Sequence, residues 1–287
     1  MAGQNAGQEA QSRGDMFHPS ACLWSLTGQP RAALGRIRRS GFDYVDLRSD
    51  CWAGIGDRDD VRRLGLTVGC VGITPVQMAP GMSLDTIATG EAVHALPYLL
   101  GALQRGAALG APNAYMVTPA GRVADTGFYR TSVLRLADEA QRLNMKLCIE
   151  PTPGRALATS AEVLAFVRRL GHPALYVLID LGHNLITGEP PDQAARDAGD
   201  RLGYVHIDDN DGRSDLHWGL FDGVLRPRVI DDFLAALSRC GYRGTIGIEI
   251  KNSLPAPMSA MSAARDYLNE RRQKLPWQPP SYLPLLT

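Results

Sequence analysis

Short aliphatic and β-branched runs alternate with helix-like segments along almost the whole chain, and they do so eight times. The strand-like runs are Ser20–Leu26, Phe42–Arg48, Leu66–Thr74, Asn113–Pro119, Met145–Glu150, Leu175–Asp180, Leu202–Ile207 and Gly244–Ile250. Between and after them lie helical patterns over Pro30–Ser40, Asp57–Leu64, Leu84–Leu109, Gly127–Asn144, Ala161–Leu170, Pro191–Gly199, Pro227–Arg239 and Met258–Arg272. Pro97 is a candidate kink in the third of these, and Thr159 or Ser160 a candidate cap for the fifth. Strictly alternating strands and helices require a parallel sheet covered by helices. Eight such units predict a single-domain α/β fold, the (β/α)8 TIM barrel, over residues 16–274. The competing doubly wound sheet places a glycine-rich phosphate loop after its first strand, and Ser25-Leu-Thr-Gly-Gln-Pro30 is not one.

Four strand-like runs stop at a polar residue: Glu150, Asp180, His206 and Glu249. Side chains alternate faces along a strand. If these four point inward, Lys146, Cys148, Thr245 and Gly247 join them. Leu147, Ile149, Val177, Ile179, Val205, Ile207, Ile246, Ile248 and Ile250 then face the helices. Functional groups of a TIM barrel gather at the C-terminal ends of its strands. One imidazole among three carboxylates suits a divalent cation such as Mn²⁺, Mg²⁺, Co²⁺ or Zn²⁺. Ordinary caps and salt bridges at the rim are the plainer alternative, but carboxylates clustered without a counter-charge are costly.

Other residues surround this set. His183 follows Asp180 by three and sits just above the strand end. Asp215 and His217 fall on one side of an extended segment, where they suit substrate binding or a second metal. Asp209, Asn210 and Asp211 read as turn chemistry, and Asp208 shares the parity of His206. Lys251 continues the parity of Glu249 and is one of three lysines. It is a candidate for an anionic substrate group, for a Schiff base, or for a plain ion pair. Arg155 and Arg213 lie on loops that face the site, and Trp24 and Trp218 are candidate walls for a sugar ring. His18, His94 and His172 lack such company.

The 287 residues, 45% of them hydrophobic, suffice for a large core. Zero net charge and no basic block point away from nucleic acid or a membrane surface. Five cysteines without a CxxC argue against a disulfide framework and for a reducing, cytoplasmic setting. Residues 1–15 read as a disordered polar leader rather than a signal peptide. Residues 275–287 form a Pro-rich tail, placed to pack on its own barrel or on a neighbour, so homo-oligomer formation stays open. No run reaches the length of about 18 apolar residues that a membrane span needs.

The motifs Ile149-Glu-Pro151, Asp180-x-x-His183, Val205-His-Ile-Asp-Asp-Asn-Asp-Gly212, Asp215-x-His217 and Ile248-Glu249 resemble the sugar phosphate isomerase/epimerase superfamily. These are xylose isomerase-like TIM barrels, which include ketose 3-epimerases, inosose-modifying enzymes and endonuclease IV. For the epimerase branch the resemblance implies metal ligands at Glu150, Asp180, His206 and Glu249. It further implies proton transfer by the two glutamates, and substrate contact by His183. That branch carries a second glutamate six residues after the first, where this chain has Ala156. For the endonuclease IV branch, His183, Asp215 and His217 join the ligand set. Two further histidines would follow the third and fourth strands, where this chain has Gly72-Ile-Thr-Pro75 and Met116-Val-Thr-Pro119.

The expected function is a metal-dependent isomerase or epimerase acting through an enediolate on a keto-sugar, polyol or cyclic hydroxyketone. Loss of a β-hydroxyl from the same intermediate would make it a dehydratase. An endonuclease IV-like phosphodiesterase and a non-catalytic sugar-binding barrel are the remaining alternatives.

Overall fold

The computed structural model describes residues 17–74, 95–120 and 127–274. The polar leader, the Pro-rich tail and the start of the third expected helix lie outside the described residues. Eight parallel strands close into one barrel in sequence order. They are β1 His18–Cys22, β2 Tyr44–Arg48, β3 Thr67–Gly72, β4 Asn113–Val117, β5 Lys146–Glu150, β6 Leu175–Asp180, β7 Leu202–Ile207 and β8 Thr245–Ile248. Closure comes from β8 pairing with β1, with Ser20 opposite Gly247.

The helices are α1 Pro30–Arg39, α2 Arg58–Arg62, α3 Ala95–Ala108, α4 Gly127–Arg142, α5 Ser160–Leu170, α6 Leu181–Thr187, α7 Pro191–Ala198, α8 Pro227–Arg239 and α9 Pro257–Lys274. Each expected strand and helix has a counterpart. Two local expectations are corrected. The first strand stops at Cys22, and Leu23–Ser25 turn into a 3₁₀ helix. A short helix, α6, follows β6 directly and was not expected: the Asp180 carboxylate accepts the His183 N–H at 3.0 Å and nucleates it. The α5 cap is Thr159, in a reciprocal capping box with Glu162.

The core has two shells, and strand parity separates them. Leu147, Ile149, Val177, Ile179, Val205, Ile207, Ile246 and Ile248 pack outward, in one cluster with helix residues such as Leu136, Val167 and Leu234. Inside the barrel lie Cys22, Trp24, Cys70, Tyr115, Cys148, Leu178 and Tyr204. The aliphatic shell fastens the helices to the sheet, and the inner shell forms the floor on which the polar strand ends stand.

Candidate metal centre

The expected convergence is present. Glu150 and Asp180 are the last residues of β5 and β6, and His206 is the penultimate residue of β7. Glu249 follows β8 by one residue, and its N–H still reaches the Ile207 carbonyl at 3.3 Å. His206 occupies the middle. Its Nδ1 lies 3.0 Å from Glu150 Oε1, 3.1 Å from Glu249 Oε2 and 3.9 Å from Asp180 Oδ2. One ligand atom from each of the four falls within 4.8 Å of the others. Glu150, Asp180 and His206 are buried, and the Glu249 side chain keeps only 12% of its surface exposed.

Three carboxylates in so dry a place need a positive partner. Burial pushes the Glu150 carboxyl up, against the pull of His206. Burial also opposes the charge on Glu249, but His217, His206 and the Trp24 indole hold that carboxyl well below its usual range. The His206 imidazole is pushed far up: burial disfavours its charge, and hydrogen bonds to Glu150 and Glu249 more than compensate.

A cation fits this set. Asp180 Oδ2 is buried and has no hydrogen-bond partner, an unfavourable state that a metal ion relieves. The mixed oxygen and nitrogen donors suit Mn²⁺, Mg²⁺, Co²⁺ or Zn²⁺. For His206 Nδ1 to offer its lone pair, the ring proton must sit on Nε2. That nitrogen is also buried and unpartnered. Asp46 of β2 stands behind it, with His206, Asp46 and Cys22 offering atoms within 4.8 Å of one another. Ser20 and Tyr204 each donate to the Asp46 carboxylate at 2.7 Å. Burial, opposed by those donors and by His206, pushes its pKa up to about 6. Gly247 completes the arrangement: a Cβ there would lie 2.6 Å from Asp46 Oδ2 and 2.7 Å from His206 Cδ2.

A second cluster adjoins the first. His183, Asp215 and His217 offer atoms within 4.8 Å of one another, as do Asp180, Asp208 and His217. His183 donates from Nδ1 to the Pro151 carbonyl at 2.8 Å, leaving Nε2 turned toward Asp215 at 3.4 Å. Burial works against its charge, but Asp180 and Asp215 push its pKa up to about 10. His217 is gripped on both sides, Nδ1 by Asp208 and Nε2 by Asp215 at 3.1 Å. Burial and the Asp180 charge push the Asp208 carboxyl up to about 8 despite His217. His217 has φ 45, a left-handed conformation that costs a non-glycine residue energy and fixes the ring's direction. Close approach also dictates Gly182, where a Cβ would fall 1.7 Å from Asp208 Oδ1.

The segment after β7 is braced by its own acids, as turn chemistry requires. Asp209 accepts the N–H groups of Gly223 and Leu225 at 2.7 and 2.9 Å. Asp211 accepts those of Arg213 and Ser214, and Asn210 donates to the Gly182 carbonyl. Asp209 and Trp218 exchange backbone hydrogen bonds at 2.7 and 3.1 Å, which closes the finger that carries Asp215 and His217.

The remaining sequence candidates divide. Trp24 enters the cage wall, its indole N–H donating to Glu249 Oε1 at 2.8 Å. Arg155 is exposed and its guanidinium donates to the Thr118 carbonyl at 3.2 Å, bridging two loops at the rim. Lys251 is a correction to the parity argument. Extended pairing ends at Ile248, the Lys251 side chain is exposed, and its N–H donates to the His217 carbonyl at 2.8 Å. Sequence reasoning missed Asp46, Arg48, Tyr115 and Tyr204. The same parity rule, applied to β2 as it was to β5–β8, would have turned Asp46 and Arg48 inward.

Among the described residues no helix is long and apolar enough to cross a membrane. Known proteins share the architecture. The chain is 27% identical over 242 residues to L-ribulose 3-epimerase of Methylomonas sp. (strain DH-1), covering 79% of each chain. It is 27% identical over 118 residues to fructoselysine 3-epimerase of Escherichia coli O157:H7, a match that spans only 42% of that protein's length. A solved L-ribulose 3-epimerase structure superposes with a TM-score of 0.75 at 18% identity, covering 90% of this chain and 95% of that one. A D-psicose 3-epimerase structure determined with D-fructose gives 0.72 at 18% identity, covering 90% and 99%. The profile of one family runs through nearly the whole barrel, residues 34–271, and on that match the chain belongs to the xylose isomerase-like TIM barrel family, whose members related to it include ketose 3-epimerases.

Proposed function

We propose that the protein is a divalent-metal-dependent isomerase or epimerase of a hydroxyketone, working by proton transfer at the carbon next to the carbonyl. One observation carries this reading: Glu150 and Glu249 enter the cage from different strands and flank one ligand nitrogen, at 3.0 and 3.1 Å. Two carboxylates on opposite sides of a bound substrate can remove a proton from one face and return one to the other. Glu150, Asp180, His206 and Glu249 would hold the metal, which polarises a carbonyl and so acidifies the neighbouring C–H. Trp24 holds one Glu249 oxygen by hydrogen bond and leaves the other directed into the cage. His183, fixed through Pro151, presents Nε2 to the same space and suits a substrate hydroxyl.

The epimerases among the relatives support this chemistry, and the substrate class of keto-sugars follows from them by analogy. Ala156 favours keeping a dehydratase as the second reading. It is buried, with its N–H bonded to the Pro119 carbonyl, where the epimerase pattern has an acid. The nuclease reading is weaker: the third and fourth strand ends carry Thr74 and Thr118, whose buried hydroxyls make no hydrogen bond.

The test is solvent exchange. With Mn²⁺ present, a panel of ketoses and cyclic hydroxyketones in D₂O is expected to gain deuterium at the α-carbon, read by NMR. Glu249→Gln should retain the wild-type Tm and lose exchange by at least about a thousandfold, a general base being worth roughly 10²–10⁴ in rate. Exchange that survives this substitution would remove Glu249 from its role. Loss of water with formation of an enone would select the dehydratase.

A further inference from the structure

We propose that Arg48, walled by Trp24 and Tyr115, is an anion subsite beside the metal centre, and that the substrate is an acidic hydroxyketone bearing a carboxylate or a phosphate. The inference rests on the proton-transfer reading for the reacting end of the substrate and concerns its other end.

Arg48 is the last residue of β2 and shares a face with Asp46, whose carboxylate is inside the barrel. Its side chain is only 15% exposed. The guanidinium carbon stands 4.9 Å from the centroid of the Trp24 ring. That same Trp24 binds Glu249, so Arg48 lies one ring's thickness from the cage. Nε donates to Asp50 Oδ1 at 2.7 Å, which holds the fork in place. Among the described residues the two terminal nitrogens have no hydrogen-bond partner. A guanidinium presents donors in a plane that matches a carboxylate or phosphate edge. Four N–H groups are therefore aimed and unspent.

Tyr115 completes the wall. Its ring meets the His206 ring edge-on at 4.9 Å and lies 6.3 Å from Trp24. Its hydroxyl makes no hydrogen bond among the described residues. Burial would lower the Arg48 pKa, but Asp50, Tyr115 and Glu249 keep the guanidinium charged. Neutralising Glu249 is not enough to explain Arg48, since Glu249 already takes hydrogen bonds from Trp24 and His206. The other cations near the mouth are placed differently. Lys251 and Arg213 are exposed, and Arg155 is spent on a carbonyl. A neutral ketose would leave the Arg48 fork unpaired, and a site built with such donors discriminates strongly against a ligand that lacks the acceptor.

The test compares D-fructose, D-fructose 6-phosphate and 5-keto-D-gluconate in the deuterium-exchange assay with Mn²⁺-loaded protein. One acidic ketose is expected to exceed fructose in kcat/KM by about a hundredfold, a discrimination typical of a charge-assisted pair. Which of the two does so decides between phosphate and carboxylate. Arg48→Met should remove the preference by lowering the acidic substrate and leaving fructose nearly unchanged. Arg48→Lys should retain part of it. Equal turnover of fructose and both acids, or an equal loss on all three in Arg48→Met, would overturn the proposal.

Binding of unreactive analogues separates the two readings. Calorimetry with D-gluconate, D-glucitol 6-phosphate and D-glucitol needs no proton transfer. An acidic ligand is expected to bind at least about tenfold more tightly than glucitol, and to lose that margin in Arg48→Met. If exchange is absent but this margin is present, the reaction assignment fails and the subsite stands. If glucitol binds as tightly as both anions, the subsite fails.

Discussion

At the scale of single residues, His206 is the hinge of the arrangement. One ring nitrogen faces Glu150 and Glu249, and the other is buried in the direction of Asp46. A carboxylate behind a metal-binding imidazole fixes its tautomer and raises its basicity. Asp46→Asn is therefore expected to weaken Mn²⁺ binding about 10- to 100-fold, as measured by calorimetry. Unchanged affinity would reduce Asp46 to a packing role. The gap between the two residues exists because position 247 has no side chain. Gly247→Ala should cost about 1–3 kcal/mol in denaturant unfolding, the usual penalty for overpacking a tight interior. A variant of native stability would mean that this interior yields more easily than the distances imply. Neither Asp46 nor Gly247 attracts notice in the sequence: an aspartate amid a β-branched run and a glycine in a strand have many ordinary explanations. Their role appears only when β2, β7 and β8 are brought side by side.

At the scale of elements, the strand ends were legible and the loops were not. Period-two alternation in β5–β8 separates inward from outward residues, because a one-residue slip would expose every aliphatic to the interior. The extra helix α6 was hidden for a local reason. Leu181-Gly182-His183-Asn184 carries no long apolar period, and the helix forms because Asp180 caps it. Asp180 thus has two duties, with Oδ1 on the His183 N–H and Oδ2 left for the cage. Lys251 shows the opposite failure, a period extended three residues past the last paired strand position. A cleaner element is α5, where the Thr159–Glu162 box is complete. Thr159→Ala should lower stability by about 1 kcal/mol without affecting metal affinity. A change in affinity would show that α5 and the cage are coupled.

At the scale of the whole molecule, the barrel stores unfavourable charge at one end. Asp46 has its pKa raised to about 6, so its contribution to stability is present below its unfolded value near 3.8 and lost as pH rises through 6. His183 is raised to about 10, so its contribution is full below about 6.5 and lost as pH rises through 10. Both signs agree: the metal-free protein should lose stability on going from pH 6.5 to 9. Metal binding displaces protons from imidazole and carboxyl ligands, so it strengthens over the same interval. The rise in Tm caused by Mn²⁺ should accordingly be larger at pH 8 than at pH 6, in calorimetric scans of one preparation. An equal rise at both pH values would mean that the bound ion displaces no protons. The overall architecture was readable because alternation of strands and helices admits few closed solutions. The partition of labour between two adjoining clusters was not, since it depends on the left-handed turn at His217 and the short finger that carries it.

The central claim is that Glu150, Asp180, His206 and Glu249 together hold one divalent cation. Anomalous diffraction at the manganese edge, from crystals soaked in Mn²⁺, tests it most directly. The account predicts a peak bonded to all four side chains, with His206 coordinating through Nδ1. A cage without a peak, or a single peak confined to His183, Asp215 and His217, would contradict it.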